Sequence, residues 1–174
     1  IYVRLIEEVI ATGKQVLYML PEIALTTQLI TRLQKYFGEK ISVFHSKFSV
    51  NERVEVWNNV LSAKPKAQVV IGARSSMFLP FQNLGLIVVD EEHEPSFKQY
   101  SPAPRYNARD SAIVLANLQN AKLLMGSATP SLESYHNAKS GKFGLVTLKK
   151  RFGNVLMPDI ELVDIKDKTR KKQM

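Results

Sequence analysis

Residues 86–94 read LIVVDEEHE. Its first four residues are apolar without alternation, the pattern of a strand covered on both faces. Strands of that kind belong to parallel sheets, whose neighbours are joined by crossovers, usually helical. On either side of it, VLYML (16–20), ISVF (41–44), QVVIG (68–72) and KLLMG (122–126) are further short apolar runs. Helical segments lie between them. Leu5, Ile6, Val9 and Ile10 share one face of a helix over residues 1–12, which Gly13 can end. Pro21 suits the first turn of a helix running to about Phe37, with Gly38 beyond it. Ser49 and Glu52 form an S-x-x-E capping box for a helix through Val54, Trp57 and Leu61. Another helix is expected around 108–119, and a last one with Thr129 as N-cap and Pro130 at its first position, ending near Gly141. The expected fold class is therefore α/β, a parallel sheet with helices on both faces.

In such sheets ligands bind at the carboxyl ends of the strands. This places Gly72–Ser75, Asp90–Glu94 and Gly126–Thr129 on one rim. An Asp at the tip of a buried strand can hold Mg2+ beside nucleotide phosphates, and the next carboxylate can orient or deprotonate an attacking water. Asp90 and Glu91 stand at those positions. A solvated acidic turn is the plain alternative. A carboxylate–histidine transition-metal site is a third, but it needs a second ligand cluster, and His45 and His136 are the only other histidines. In GSATPS (126–131), Gly126 permits a tight turn, and Ser127 and Thr129 carry small hydroxyls. If KLLMG lies beside LIVVD, those hydroxyls face Asp90 and His93; a loop with a helix cap is the simpler reading. The acids are followed by a polar, aromatic-rich loop of roughly fifteen residues, longer than most connections in compact domains.

With 174 residues, 45% of them hydrophobic, the chain has material for one domain with a loose tail. No apolar run of about eighteen residues occurs, so no membrane-spanning helix is expected. The amphipathic, acid-bearing start lacks a signal-peptide pattern. It also lacks an initiator Met, so the chain is expected to begin within a longer protein. Zero cysteines exclude disulfides and thiolate metal sites here, and they fit a cytoplasmic origin. Of the net charge of +8, half sits at the end, where Lys166, Lys168, Arg170, Lys171 and Lys172 stand against Asp167 alone. The rest is compatible with nucleic acid but weak evidence for it.

The DEEH (90–93) and SAT (127–129) strings together resemble motifs II and III of superfamily 2 helicases. LPEIALT (20–26), FHSKFS (44–49), GARSSMFLPF (72–81), VDEEHEPSFKQY (89–100), PRYNARDSA (104–112), GSATPSLES (126–134) and PDIELVD (158–164) narrow the resemblance. In order and spacing they look like the bacterial replication-restart DNA helicases. The resemblance covers essentially the whole chain and implies a RecA-like helicase lobe over residues 1–157, with 158–174 leading toward a second lobe. It implies ATP and Mg2+ as cofactors, single-stranded and forked DNA as ligands, and primosome-loading and single-strand-binding proteins as partners. It also implies a bacterial cytoplasmic location, with no membrane association.

Residue by residue, the resemblance makes Asp90 the Mg2+ acid, Glu91 the acid that positions water, and His93 the link from the ATP site to the DNA site. Ser127 and Thr129 are implied at the nucleotide side. Pro21, Glu22, Leu25 and Thr26 match motif Ia, and Gly72, Arg74 and Ser75 match motif Ib, both lining a single-stranded DNA path. Pro95–Tyr106 matches an aromatic-rich loop shared with RecQ-like helicases. There Phe97, Lys98, Tyr100, Arg105 and Tyr106 are candidates for base stacking and phosphate contact, with packing of the loop itself as the alternative for the aromatics.

One departure stands out. Such helicases need a Walker A loop, and no G-x-x-x-x-G-K-[ST] occurs; Gly13-Lys14-Gln15 follows a helix and lacks the hydroxyl. The family's loop is expected immediately upstream of Ile1, and the chain by itself is expected to be inactive as an ATPase. The family's zinc insertion and its second lobe are expected elsewhere in the longer protein. Two rivals stay open: another superfamily 2 translocase, such as a restriction motor subunit or a RecG-like helicase, and a non-hydrolytic DNA-binding module.

Overall fold

The computed structural model describes residues 1–149, so the segment 158–174 read as a linker lies outside the described residues. Five strands, β1 (Gln15–Met19), β2 (Ile41–Phe44), β3 (Val69–Gly72), β4 (Leu84–Asp90) and β5 (Lys122–Gly126), pair in parallel. Their order is β2-β3-β1-β4-β5. The helices are α1 (Tyr2–Ile10), α2 (Thr27–Phe37), α3 (Val50–Leu61), α4 (Ala108–Leu118) and α5 (Leu132–Lys139). The described residues fall into two units, Ile1–His136 and a second that begins at Asn137. The first holds the sheet and the rim. In the second, a turn closes where the amides of Lys142 and Phe143 donate to the Asn137 carbonyl, with Gly141 at φ +80°.

Successive strand side chains point to opposite faces, so each apolar run feeds two cores. Leu17, Met19, Val70, Ile87 and Val89 meet Val60 of α3 and Ala108, Ala112 and Ala116 of α4. Val16, Tyr18, Val69, Ile71, Leu86 and Val88 meet Ile6 and Ile10 of α1 and Leu33 and Phe37 of α2. Helices cover both faces, as the absence of alternation implied. The small alanines of α4 let it approach the sheet closely.

Two local expectations need correction. No single helix runs from Pro21 to Phe37: a 3-10 turn over Glu22–Ala24 comes first, and α2 begins at Thr27. The Thr26 hydroxyl accepts the Leu29 amide at 3.3 Å, making Thr26 an N-cap in extended conformation and breaking the helix there. The cap of α5 is Ser131 rather than Thr129, because Ser131 Oγ accepts the Ser134 amide at 3.3 Å while Thr129 is held by Ser127. The capping box of Ser49 and Glu52 forms. The helix read through Val54, Trp57 and Leu61 is α3; its core-facing residues are Val60 and, partly buried, Val56, while Val54, Trp57 and Leu61 are exposed.

Candidate active site

Asp90 ends β4 in register with Gly126 at the end of β5, so the loops carrying DEEH and SAT leave the sheet side by side. Two phenols hold the Asp90 carboxylate. Tyr2, at the start of α1, donates to Oδ1 at 3.0 Å, and Tyr18, from β1, donates to Oδ2 at 2.9 Å. The Glu91 amide donates to Oδ1 at 3.2 Å. Gly126 makes this possible, since a Cβ there would overlap the Tyr2 hydroxyl. Burial first, and the Asp90 charge second, push both phenols well above the usual tyrosine range. Each therefore remains a donor at neutral pH.

A carboxylate has about four lone-pair positions, and these three donors leave room for a metal or its water. Mg2+ is held by one or two protein carboxylates, with phosphates and waters completing its shell. Asp90 fits that demand, with Glu91 adjacent. Among the described residues no group of three or more His, Asp or Glu gathers as a protein cage. If Mg2+ binds, Asp90 holds it, and its charge would neutralise developing negative charge on a phosphoryl group.

Glu91 takes φ +52°, a left-handed turn immediately after the strand, and its side chain is about half exposed at the rim. His93 Nδ1 lies 2.7 Å from Ser127 Oγ and 3.7 Å from Glu91 Oε2. Its Nε2 lies 3.4 Å from Thr129 Oγ1. Ser127 Oγ also accepts the Thr129 amide at 2.9 Å. The hydroxyls of Ser127 and Thr129 thus reach His93, as the strand pairing implied. They do not bond Asp90, whose oxygens accept from Tyr2, Tyr18 and the Glu91 amide.

Sequence reasoning passed over both tyrosines, which sat inside apolar or amphipathic runs. It also passed over Glu92, which is 4% exposed. The Glu92 carboxylate accepts the Ser131 amide at 2.6 Å, the Ser131 hydroxyl at 2.9 Å, the Ser134 hydroxyl at 2.8 Å and Arg109 Nη1 at 3.3 Å. Burial alone would raise its pKa, but the serine hydrogen bonds and the Arg109 charge outweigh that and hold it below the usual range. An acid next to two catalytic candidates was the available signal; its partners, 17 to 42 residues away, carried none.

The two segments read as motifs Ia and Ib meet where the Leu20 amide donates to the Gly72 carbonyl at 3.0 Å. Pro21 is buried, Leu25 partly so, and Glu22 and Thr26 are exposed on that rim. Gly72 has Ser76 packed against its Cα, leaving no space for a side chain. Ser75 is half-buried, and Arg74 donates to the Ser96 and Lys98 carbonyls at 3.2 and 3.3 Å, so its guanidinium organises the 95–106 loop. Within that loop Phe97 is 1% exposed and belongs to the core, which removes its ring from any base in this arrangement. Packing, the alternative for Phe97, is what its burial supports. Tyr106 packs edge-on to Phe78 at 4.9 Å, and Lys98 Nζ donates to the Arg105 carbonyl at 2.6 Å. Tyr100, 69% exposed, and Arg105 point to solvent.

The DEAD/DEAH box helicase family matches residues 1–138. Replication restart protein PriA of Rickettsia conorii is 50% identical over 165 residues, which are 95% of this chain and 25% of that protein. PriA of Bacillus subtilis is 42% identical over 170 residues, 98% of this chain and 21% of that protein. The chain thus spans between a fifth and a quarter of the length of these relatives. Among solved structures, RecG bound to a three-way DNA junction is 22% identical with a TM-score of 0.48, over 74% of this chain and 16% of that one, too distant to bear on function. With the family profile covering most of its length and the acid, histidine and hydroxyls of the two motifs in contact, the chain belongs to the DEAD/DEAH box helicases.

Proposed function

We propose that residues 1–157 belong to the first motor lobe of an ATP-dependent 3′→5′ DNA helicase that reopens stalled replication forks and helps assemble the primosome. Residues 158–174 then lead toward the second lobe. ATP and Mg2+ are the cofactors, and Asp90, Glu91, Ser127 and Thr129 form the nucleotide side of the site. Single-stranded and forked DNA run past the motif Ia and Ib segments and the exposed part of the 95–106 loop. Primosome-loading and single-strand-binding proteins are the partners, in the bacterial cytoplasm. No helix among the described residues is long and apolar enough to cross a membrane.

One observation carries this reading: His93 touches Ser127 and approaches both Glu91 and Thr129, joining the hydrolytic acid to the adjacent strand's loop. The test uses the longer protein that carries this lobe. Glu91→Gln keeps shape and removes the base, so ATP binding should survive while DNA-stimulated turnover falls by about 10²-fold or more. Near-normal turnover in Glu91→Gln would return DEEH to a solvated acidic turn.

A further inference from the structure

Glu92 has no part in the proposed chemistry, yet it is the acid of the DEEH string that the fold buries. Its position is unusual in a second respect. The Glu92 amide donates to the Gly126 carbonyl at 3.1 Å, where the SAT loop leaves β5. Its carboxylate takes the amide and hydroxyl of Ser131, where the same loop enters α5. One residue therefore fastens both ends of the loop that carries Ser127 and Thr129.

Arg109 completes the arrangement from the other side. It lies in the first turn of α4, three residues after the 95–106 loop ends, as Glu92 lies three residues before that loop begins. Nη1 of Arg109 reaches Glu92 at 3.3 Å and Ser131 Oγ at 2.7 Å. The Ser131 hydroxyl donates to Glu92 and accepts from Arg109 and the Ser134 amide, so its capacity is filled. The Arg109 side chain is 12% exposed and that of Glu92 3%. Glu92 at this depth holds Arg109 in place, because losing Arg109 would leave a buried carboxylate without its countercharge. Arg109 is steadied further by Asp110, 2.8 Å from its Nε, and by Glu133 at 3.9 Å. Both ends of the 95–106 loop and both ends of the SAT loop thus meet at Glu92, Arg109 and Ser131.

We propose that Glu92 and Arg109 are positioning residues that carry the state of the 95–106 loop to Ser127 and Thr129, and through them to His93 and Glu91. This rests on the proposed function, in which the loop meets DNA and the acids serve ATP. A shift of the loop drags α4's first turn, Arg109 pulls on Ser131, and the SAT loop moves relative to His93. Neither residue needs to touch nucleotide or DNA.

The test again uses the longer protein, with ATP, Mg2+ and oligo-dT, comparing wild type, Glu92→Gln, Arg109→Gln, the double variant and Arg109→Lys. DNA-stimulated hydrolysis by wild type establishes the underlying function independently of the variants, and its absence would sink that function rather than the clamp. In each glutamine variant the ratio of DNA-saturated to DNA-free kcat should fall by about tenfold, within the usual span of coupling between sites. The Kd for oligo-dT, read by fluorescence anisotropy, should stay within about threefold, less than one coupling decade. The double variant should be no worse than the worse single one, and Arg109→Lys should recover part of the ratio. If the glutamine variants fold poorly, Ser134→Ala removes one bond to Glu92 and should lower the ratio in the same direction. An unchanged ratio in folded variants, whatever their melting temperature, overturns the proposal. So does a weakened Kd with a normal ratio at saturating DNA, which would make Arg109 a DNA contact.

Discussion

The Tyr2 hydroxyl lies 3.0 Å from Asp90 Oδ1, in the space that any side chain on residue 126 would need. The start of α1, the tip of β4 and the end of β5 are fitted together at this point, and Gly126 is required by shape rather than by backbone freedom.

Gly126→Ala should therefore act as overpacking and cost about 1–3 kcal/mol. Thermal unfolding of the chain should show the loss. Adding Tyr2→Phe, which takes away the overlapping oxygen, should return part of it. A single variant as stable as wild type would mean that the Tyr2–Asp90 contact is not maintained in solution.

The two phenols make a pH prediction. Both have folded pKa values raised above the unfolded value of about 10. A group of that kind contributes stability that is present below its unfolded pKa and lost as pH rises toward its folded pKa. Stability should fall on the alkaline side, above about pH 10, and Tyr18→Phe should flatten that limb. Denaturant titrations between neutral and strongly alkaline pH check this. An alkaline limb unchanged in Tyr18→Phe would assign it to other groups.

Glu92 predicts the opposite limb. Its folded pKa lies below the ordinary glutamate value, so its stabilisation is present above about pH 4.3 and is lost as pH falls through the folded value. Glu92→Gln should lower stability at neutral pH and make the acid limb shallower. Parallel acid limbs in the two proteins would speak against the serine and arginine bonds drawn to this carboxylate.

The two aromatics of the 95–106 loop should part company. Phe97→Ala opens a core cavity, and its loss should be about 3–5 kcal/mol, several degrees or more of melting temperature. Tyr100→Ala should leave melting close to wild type. In the longer protein it should raise the DNA concentration needed for half-maximal ATPase stimulation, at a stacking scale of about 1–3 kcal/mol per base. Equal melting temperatures for the two variants, or equal DNA dependence in Tyr100→Ala and wild type, would count against this division.

Much of this was legible in the chain because one signal dominates it. Runs such as VLYML and LIVVD, apolar without alternation, dictate two-sided burial and therefore helices on both faces. The pairing of KLLMG with LIVVD then brings Ser127 and Thr129 to His93. The features that remained hidden had no local signature. Tyr18 counts as apolar in a strand, and only the fold shows that its hydroxyl clears the core edge to meet Asp90. Glu92 and Arg109 look like solvated charges until the chain brings Ser131 and Ser134 between them. On α3, Val54, Trp57 and Leu61 carry a helical period, but a period cannot say which side faces the sheet. Thr26 and Ser131 moved two helix starts by competing for amides that Pro21 and Thr129 were expected to organise. Phe97 shares an aromatic-rich loop with Tyr100, and composition cannot sort a buried ring from an exposed one.

The pairing of Asp90 with Gly126 also sets how this lobe can tolerate changes in length. Strand side chains alternate between faces, so gain or loss of one residue within 122–126 would turn the remainder of the strand and its loop to the opposite side of the sheet. Ser127 would then leave His93, and the glycine facing Tyr2 would be replaced by a residue with a side chain. Substitutions along β5 have several apolar solutions, whereas single-residue insertions and deletions have none that keep both contacts. Length variation should therefore collect in the connections at the opposite end of the sheet, such as the turns around Ala63 and Asn120, both already in left-handed backbone conformations.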